Sequence, residues 1–274
     1  MYKIAILITC HNRCKKTVDC LQSLYQCSLP QDYTLDVFLV DDGSTDGTAN
    51  AVKEKFSNVN IIEGNGNLYW NRGMHLAWSH ASKNNYDFYL WLNDDTFLKE
   101  SALATLLRDS GKKRNESIIC GICKSEVTGE ISYGGYEKVT HKIISPIGQP
   151  QQCFFFNGNI VLVPKKVFDT VGNLDPIFQH GFGDFDYGLR AVKKNISSWV
   201  TSEIIGFCDG NELTKWCNPK YPLSTRIRNF YSPLGMQPIQ HFIYAKRHWG
   251  IIKAVKDFFS QHLRLIYPSF WLTK

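Results

Sequence analysis

The feature that most constrains this chain is a regular exchange of strand and helix signals over its first hundred residues, with pairs of acids where strands should end. Residues 3–9 are β-branched and apolar, 15–26 carry helical spacing through Val18, Leu21, Leu24 and Tyr25, and 35–40 read as a second buried strand. A helix over 45–56, a strand over 59–62, a helix over 71–83 and a strand over 87–92 continue the alternation. Such a βαβα order predicts an α/β fold with a mostly parallel sheet wrapped by helices, and ligands at the carboxyl ends of the strands. Beyond about residue 110 the pattern loosens into short strands at 118–122 and 130–133, then a long apolar strand over 154–163. Helices follow from Pro164 to about Val171 and over 184–194.

Composition narrows the class further. The 274 residues are 43% apolar and 20% charged, which suits a globular protein with a sizeable core. No run of about 18 apolar residues occurs, so no transmembrane helix is expected. The apolar run 4–9 is too short for a signal peptide and lacks its basic flank, so a cytoplasmic location is expected. The nine cysteines show no disulfide spacing, and the single C-x-x-C at Cys120 and Cys123 has no second pair or nearby His to complete a zinc site. From Lys215 to Lys274 the chain has ten Lys or Arg against one acid, Asp257, so this tail carries +9 while the rest carries −3.

Three acidic clusters carry the chemistry. Asp41 and Asp42 follow the second strand inside Val40-Asp-Asp-Gly-Ser-Thr-Asp-Gly-Thr48, where turn chemistry and helix capping alone account for Ser44, Asp46 and Gly47. Asp94 and Asp95 follow the fourth strand inside Trp91-Leu-Asn-Asp-Asp-Thr96. Neighbouring carboxylates after a buried strand repel one another unless a positive group joins them, and a divalent cation with oxygen ligands is the economical partner. If that segment stays extended, the two side chains point to opposite sides, one to a metal and one to a ligand hydroxyl. The third cluster is Gly181-Phe-Gly-Asp-Phe-Asp-Tyr-Gly-Leu-Arg190 at a helix start, with Asp184 placed as an N-cap or a functional acid and Asp186 paired i,i+4 with Arg190. Dinucleotide, P-loop, nucleophile-elbow and zincin motifs are missing.

Taken together, the segments Ile8-Thr-Cys-His-Asn-Arg13, Val40 to Gly47, Gly64-Asn-Gly-Asn-Leu-Tyr-Trp-Asn-Arg-Gly73, Leu92 to Thr96, Asn157 to Pro164, Gly172-Asn-Leu-Asp175 and Asp184 to Arg190 resemble the family 2 glycosyltransferases of the GT-A fold. The resemblance covers about residues 3–200. It implies a single catalytic domain over 1–215, with a nucleotide-sugar half to about 110 and an acceptor half over 111–215, followed by a basic helical segment over 216–274. It places Thr9 and Asp42 at the base and ribose, Arg72 beside the base or diphosphate, and Asp94 near the ribose. Asp95 becomes the direct ligand of Mn²⁺ or Mg²⁺, and Asp184 the catalytic base. Two departures stand out: Asn93 replaces the first acid of the family's D-x-D motif, and Gly183 stands where many members have Glu.

The implied reaction is transfer, with inversion, from a nucleotide-diphosphate sugar (UDP or dTDP before others) to a hydroxyl of a saccharide or lipid-linked saccharide in cell-surface polysaccharide assembly. His180 and Asp186 are candidates for the acceptor side, and His241, Trp216 and Tyr231 could line the acceptor pocket with His180. Two rivals are a nucleotidyltransferase, which should carry a glycine-rich basic loop where His11-Asn12-Arg13 stands, and a nucleic-acid or membrane-surface binder using the basic tail. Basic residues interleaved with Trp249, Tyr267 and Trp271 suit a membrane interface better than nucleic acid, so peripheral contact at the inner face of the membrane through 243–274 is expected.

Overall fold

The computed structural model describes residues 1–210 and 214–269. Trp271, counted above with the tail aromatics, lies outside the described residues. The amino-terminal alternation is β1 (Tyr2–Cys10), α1 (Cys14–Tyr25), β2 (Tyr33–Asp41), α2 (Thr48–Lys55), β3 (Val59–Glu63), α3 (Tyr69–Ala81) and β4 (Phe88–Leu92). Then come β5 (Phe97–Leu98), α4 (Ala102–Lys112), β6 (Ile118–Lys124), β7 (Ile131–Tyr133), β8 (Gly135–Tyr136), β9 (Gln151–Cys153), β10 (Phe155–Phe156) and β11 (Ile160–Pro164). The chain continues through α5 (Lys165–Val171), α6 (Gly183–Lys193), β12 (Ser198–Phe207), a 3₁₀ turn at Lys215–Cys217, α7 (Leu223–Phe230), α8 (Pro238–Trp249) and α9 (Ile251–Ile266).

The main sheet runs β3-β2-β1-β4-β11-β6-β12-β5, and β3, β2, β1, β4, β6 and β12 all point one way. Strand β11 is reversed between β4 and β6. The central strands are covered on both faces, which is why they read as continuous apolar runs. Ile4, Ile6 and Ile8 of β1 join Leu21, Leu24, Leu103 and Leu106 of α1 and α4 on one side. Ala5 and Leu7 face a second cluster built around Trp78, Trp91 and Tyr187 with α3, α5 and α6.

One expected element is broken. In place of a single strand over 154–163 the chain forms β10 and β11, with Asn157, Gly158 and Asn159 turning away before β11. The Asn157 carboxamide oxygen accepts from the Tyr136 hydroxyl (2.8 Å), and the Asn159 carbonyl accepts from the Asn93 amide (3.0 Å). Those bonds replace a ladder and bring this loop to the end of β4. Because β1 is flanked by β2 on one side and β4 on the other, the strand order reverses there. The loops after β1, β2 and β4 therefore open into one crevice at a topological switch point.

Candidate active site

The loop after β2 is organised by Asp42, which is buried. Its Oδ1 accepts from the Gly66 amide (2.8 Å), and its Oδ2 accepts from the amides of Leu68 (2.8 Å) and Tyr69 (3.0 Å). Asp42 thus holds the loop that leads into α3. Its carbonyl accepts from His11 Nδ1 at 2.6 Å, and because a carbonyl can only accept, the His11 proton sits on Nδ1. His11 Nε2 then accepts from the Asn12 carboxamide (3.1 Å). Thr9 is buried against α3, so close that a Cβ at Gly73 would lie 2.2 Å from its hydroxyl oxygen.

Asp94 and Asp95 do not stay extended. They form a turn closed by Thr96 N–H donating to the Asn93 carbonyl (3.1 Å), and both carboxylates converge on one cation instead of pointing apart. Arg13 Nη1 donates to Asp94 Oδ1 at 3.0 Å and to Asp95 Oδ2 at 2.8 Å. Asp94 is 5% exposed and its second oxygen, Oδ2, is buried without a partner. Burial pushes its pKa up to about 6, against the pull of Arg13. Two hard oxygen donors beside an orphaned third suit Mg²⁺ or Mn²⁺, which commonly take one or two protein carboxylates and leave the remaining positions to water and phosphate. Among the described residues no group of three His, Cys, Asp or Glu side chains gathers for a metal. A cation here would therefore be shared between Asp94, Asp95 and a substrate.

Asn93, in the place of the first acid, accepts from the Trp70 indole N–H (2.7 Å). Trp70 in turn lies over Gly158, where a Cβ would stand 2.4 Å from its ring. The Gly158 amide donates to Asp184 Oδ2 (3.0 Å), while Asp184 Oδ1 accepts from the Phe185 amide (2.8 Å). The acidic turn and Asp184 are therefore built onto one frame: Asn93 to Asn159 through the backbone, Asn93 to Trp70 to Gly158 through packing, and Gly158 to Asp184 by a hydrogen bond. Asp184 sits in the first turn of α6, where the helix dipole favours the carboxylate, yet burial dominates and raises its pKa to about 6.

Gly183 has a packing reason to lack a side chain. A Cβ there would fall 1.7 Å from Asn71 Oδ1, and Asn71 is pinned because its Nδ2 donates to the carbonyls of Asp175 (2.8 Å) and Phe178 (2.7 Å). Arg72 also reaches this loop, donating from Nε to the Pro176 carbonyl (2.8 Å). His180 packs edge-on against Tyr69, and its Nδ1 is buried without a partner. Burial, helped by Arg13, lowers its pKa, so the imidazole is neutral.

Asp186 lies elsewhere. Its side chain is fully enclosed, with Oδ2 taken by Arg190 Nε (2.8 Å) and Oδ1 by Arg247 Nη1 (2.8 Å) and His248 Nε2 (2.9 Å). Arg247 Nη2 also donates to Asp175 Oδ2 (2.7 Å). These ion pairs weld α8 to α6, and Tyr244 stacks on Phe182 beside them. His241 meets Phe182 edge-on, next to the Asp184 loop, whereas Trp216 packs with Phe230 and Tyr231 bonds His262 in a separate cluster of the tail. Arg13, Trp70, Asn71 and Gly158 were not singled out by sequence pattern. Only Arg13 carried a local hint, as the one cation in the loop after β1.

Residues 5–171 match the family described as Glycosyl transferase family 2. No curated protein matches the chain in sequence. The fold is similar to that of residues 1–349 of S. aureus TarS, at 13% identity and a TM-score of 0.53 over 76% of this chain and 60% of that one. TarS has also been solved with UDP. The mannosyltransferase PcManGT of Pyrobaculum calidifontis, solved with GDP-Man and Mn²⁺, matches at 13% identity and a TM-score of 0.60 over 98% of this chain and 74% of that one. The chain thus spans about 60% of the TarS segment it resembles.

Proposed function

The chain belongs to glycosyl transferase family 2, and from that membership we propose that it transfers a sugar, with inversion, from a nucleotide-diphosphate donor to a hydroxyl of a saccharide or lipid-linked saccharide. The observation that carries this reading is the shared frame on which Asp184 and the Asp94–Asp95 turn are mounted, through Asn93, Trp70 and the Asn157–Asn159 loop. A donor diphosphate at the acidic turn would present its sugar toward Asp184.

In this mechanism Asp184 accepts the proton of the acceptor hydroxyl as its oxygen bonds the anomeric carbon, and the sugar–phosphate bond breaks on the opposite face. A pKa near 6 leaves Asp184 mostly ionised at neutral pH while keeping it a better base than a solvated carboxylate. Its hydrogen bonds from Gly158 and Phe185 fix the carboxylate before the acceptor arrives. Mn²⁺ or Mg²⁺ held by Asp95 and Asp94 would neutralise charge on the departing diphosphate. Arg13, released from the pair, would remain beside the phosphates, and Asp42 would keep the 64–69 loop in place for the base and ribose with Thr9 and Arg72. His180 lines the acceptor side. The catalytic unit is 1–215, and the tail over 243–274 meets a membrane that presents the acceptor. A panel of UDP-, dTDP- and GDP-sugars, read by divalent-dependent thermal stabilisation, tests the reading. One donor should stabilise the protein only with Mn²⁺ or Mg²⁺, and Asp95→Ala should lose the effect. Stabilisation unchanged in excess chelator would overturn the metal assignment.

A further inference from the structure

The basic tail divides into two unlike parts. Helix α8 is spent on the catalytic half, through Arg247 and His248 to Asp186, Arg247 to Asp175, and Lys193 Nζ to the Arg247 carbonyl (2.7 Å). Helix α9 is not. It buries only Ala254 and Leu265 deeply, and opposite them Ile252 (74%), Val255, Phe259 (63%), Leu263 (54%) and Ile266 are exposed. Their spacing of three, four, four and three residues places them on one face along the whole helix. Lys253, which pairs with Asp257, and Lys256 are exposed along one flank of that stripe, and Trp249 and Tyr267 stand exposed at its two ends. At the carboxyl end the stripe opens into a groove of about 790 Å³, where Leu263, Ile266 and Tyr267 meet Arg226. Arg226 donates Nη1 to the Leu265 carbonyl, but its Nε is buried without a partner.

Resting on the reading that 243–274 meets a membrane, we infer that the contact is made by this single face of α9, lying in the plane of an anionic lipid surface, with Arg226 beside the phosphate of a headgroup. Charge selects the occupant. An apolar face of this size also suits a second copy of the helix, but self-pairing would set lysine-flanked stripes against one another in a helix whose Lys253, Lys256 and Arg264 stand against one acid, Asp257. A bilayer containing acidic lipids meets the apolar stripe and the lysine flank at once, and indole and phenol rings at both ends suit its interfacial zone.

The test is sedimentation of the full chain with phosphatidylcholine vesicles, with and without phosphatidylglycerol, for wild type and the exposed-face double variant Phe259→Glu/Leu263→Glu. Wild type should bind the acidic vesicles and not the neutral ones, and the variant should lose at least about tenfold in partitioning while its melting temperature holds. Arg226→Gln should weaken binding to acidic vesicles severalfold, and millimolar inorganic phosphate should not compete. Equal binding to neutral and acidic vesicles, no binding to either, or a concentration-dependent dimer abolished by the double variant would each overturn the inference. Binding to acidic vesicles that the double variant retains would leave the tail at the membrane but remove it from this face of α9. None of these readouts depends on sugar transfer, so they stand or fall apart from the catalytic proposal.

Discussion

A single methyl group added at Gly183 tests the packing around the base. Built on the backbone, it would stand 1.7 Å from Asn71 Oδ1 and 2.5 Å from Asn71 Cγ. Asn71 cannot turn aside at no cost, because its enclosed side chain donates to the carbonyls of Asp175 and Phe178. Making room breaks both bonds and leaves two carbonyls short of a donor, at about 1–3 kcal/mol each. Alanine is the better helix former by up to about 1 kcal/mol, which offsets part of that loss. The net for Gly183→Ala is a destabilisation of about 2–4 kcal/mol, or a fall in melting temperature of roughly 5–15 °C for a domain of this size. In an Asn71→Ala background the methyl group meets only the Cβ of residue 71, at 3.2 Å, which a shift of a few tenths of an ångström relieves, so the same substitution should cost less than about 1 kcal/mol, a coupling of about 2 kcal/mol in a double-mutant cycle. Differential scanning calorimetry of the four proteins measures it. A melting temperature for Gly183→Ala within about 2 °C of wild type, or an equal cost in both backgrounds, refutes the steric account.

Three further predictions concern the carboxylates. Transfer needs ionised Asp184, so kcat/KM should climb as pH rises through about 6 and then level. The raised pKa means that this group favours the folded state at low pH and that the benefit is lost as pH rises through about 6, so the melting temperature of Asp184→Asn relative to wild type should be higher near pH 8 than near pH 4, whatever the carboxamide costs by leaving one of the Gly158 and Phe185 amides without an acceptor. Matched melting curves at both pH values check the sign. Arg13→Gln should lower the melting temperature of the metal-free protein, because Asp94 and Asp95 then face each other without a cation, and Mn²⁺ should restore it. A variant that Mn²⁺ does not stabilise would remove the acidic turn as a cation site.

The readable part of the fold is the part whose burial shows as pattern. Strands β1, β2 and β4 are apolar on both faces and helices α1 and α3 are periodic, so both type and order follow from spacing. Strand β12 hides because buried Thr201 and Ser202 interrupt its apolar run. Ser202 donates to buried Asp109 of α4 through both its amide (2.8 Å) and its hydroxyl (2.7 Å), so the polar residues are satisfied inside the core. The same pairing places an acid on the buried side of α4. The run 154–163 reads as one strand because Phe154 to Phe156 and Ile160 to Val163 are equally apolar, and the bonds of Asn157 and Asn159 that break it go to residues far along the chain.

At the site, the paired acids of the strand ends are visible as local sequence. Their partners are not. Arg13 meets Asp94 across 81 positions, and the collision that excludes a side chain at Gly183 comes from Asn71. A carboxylate's role is also opaque to local pattern: Asp184 and Asp186 lie two residues apart on one helix, yet one is raised to about 6 by burial and the other is held low despite burial by His248, Arg190 and Arg247.

The central claim is that Asp184 takes the acceptor proton, and one variant addresses it most directly. In Asp184→Asn the side chain keeps its size and can still accept from the Gly158 amide, but it cannot take a proton. Sugar transfer should fall by about two to four orders of magnitude while divalent-dependent stabilisation by the donor is unchanged. Transfer within about threefold of wild type, with the donor bound normally, would contradict the account and leave Asp184 as a structural acceptor for the Gly158 and Phe185 amides.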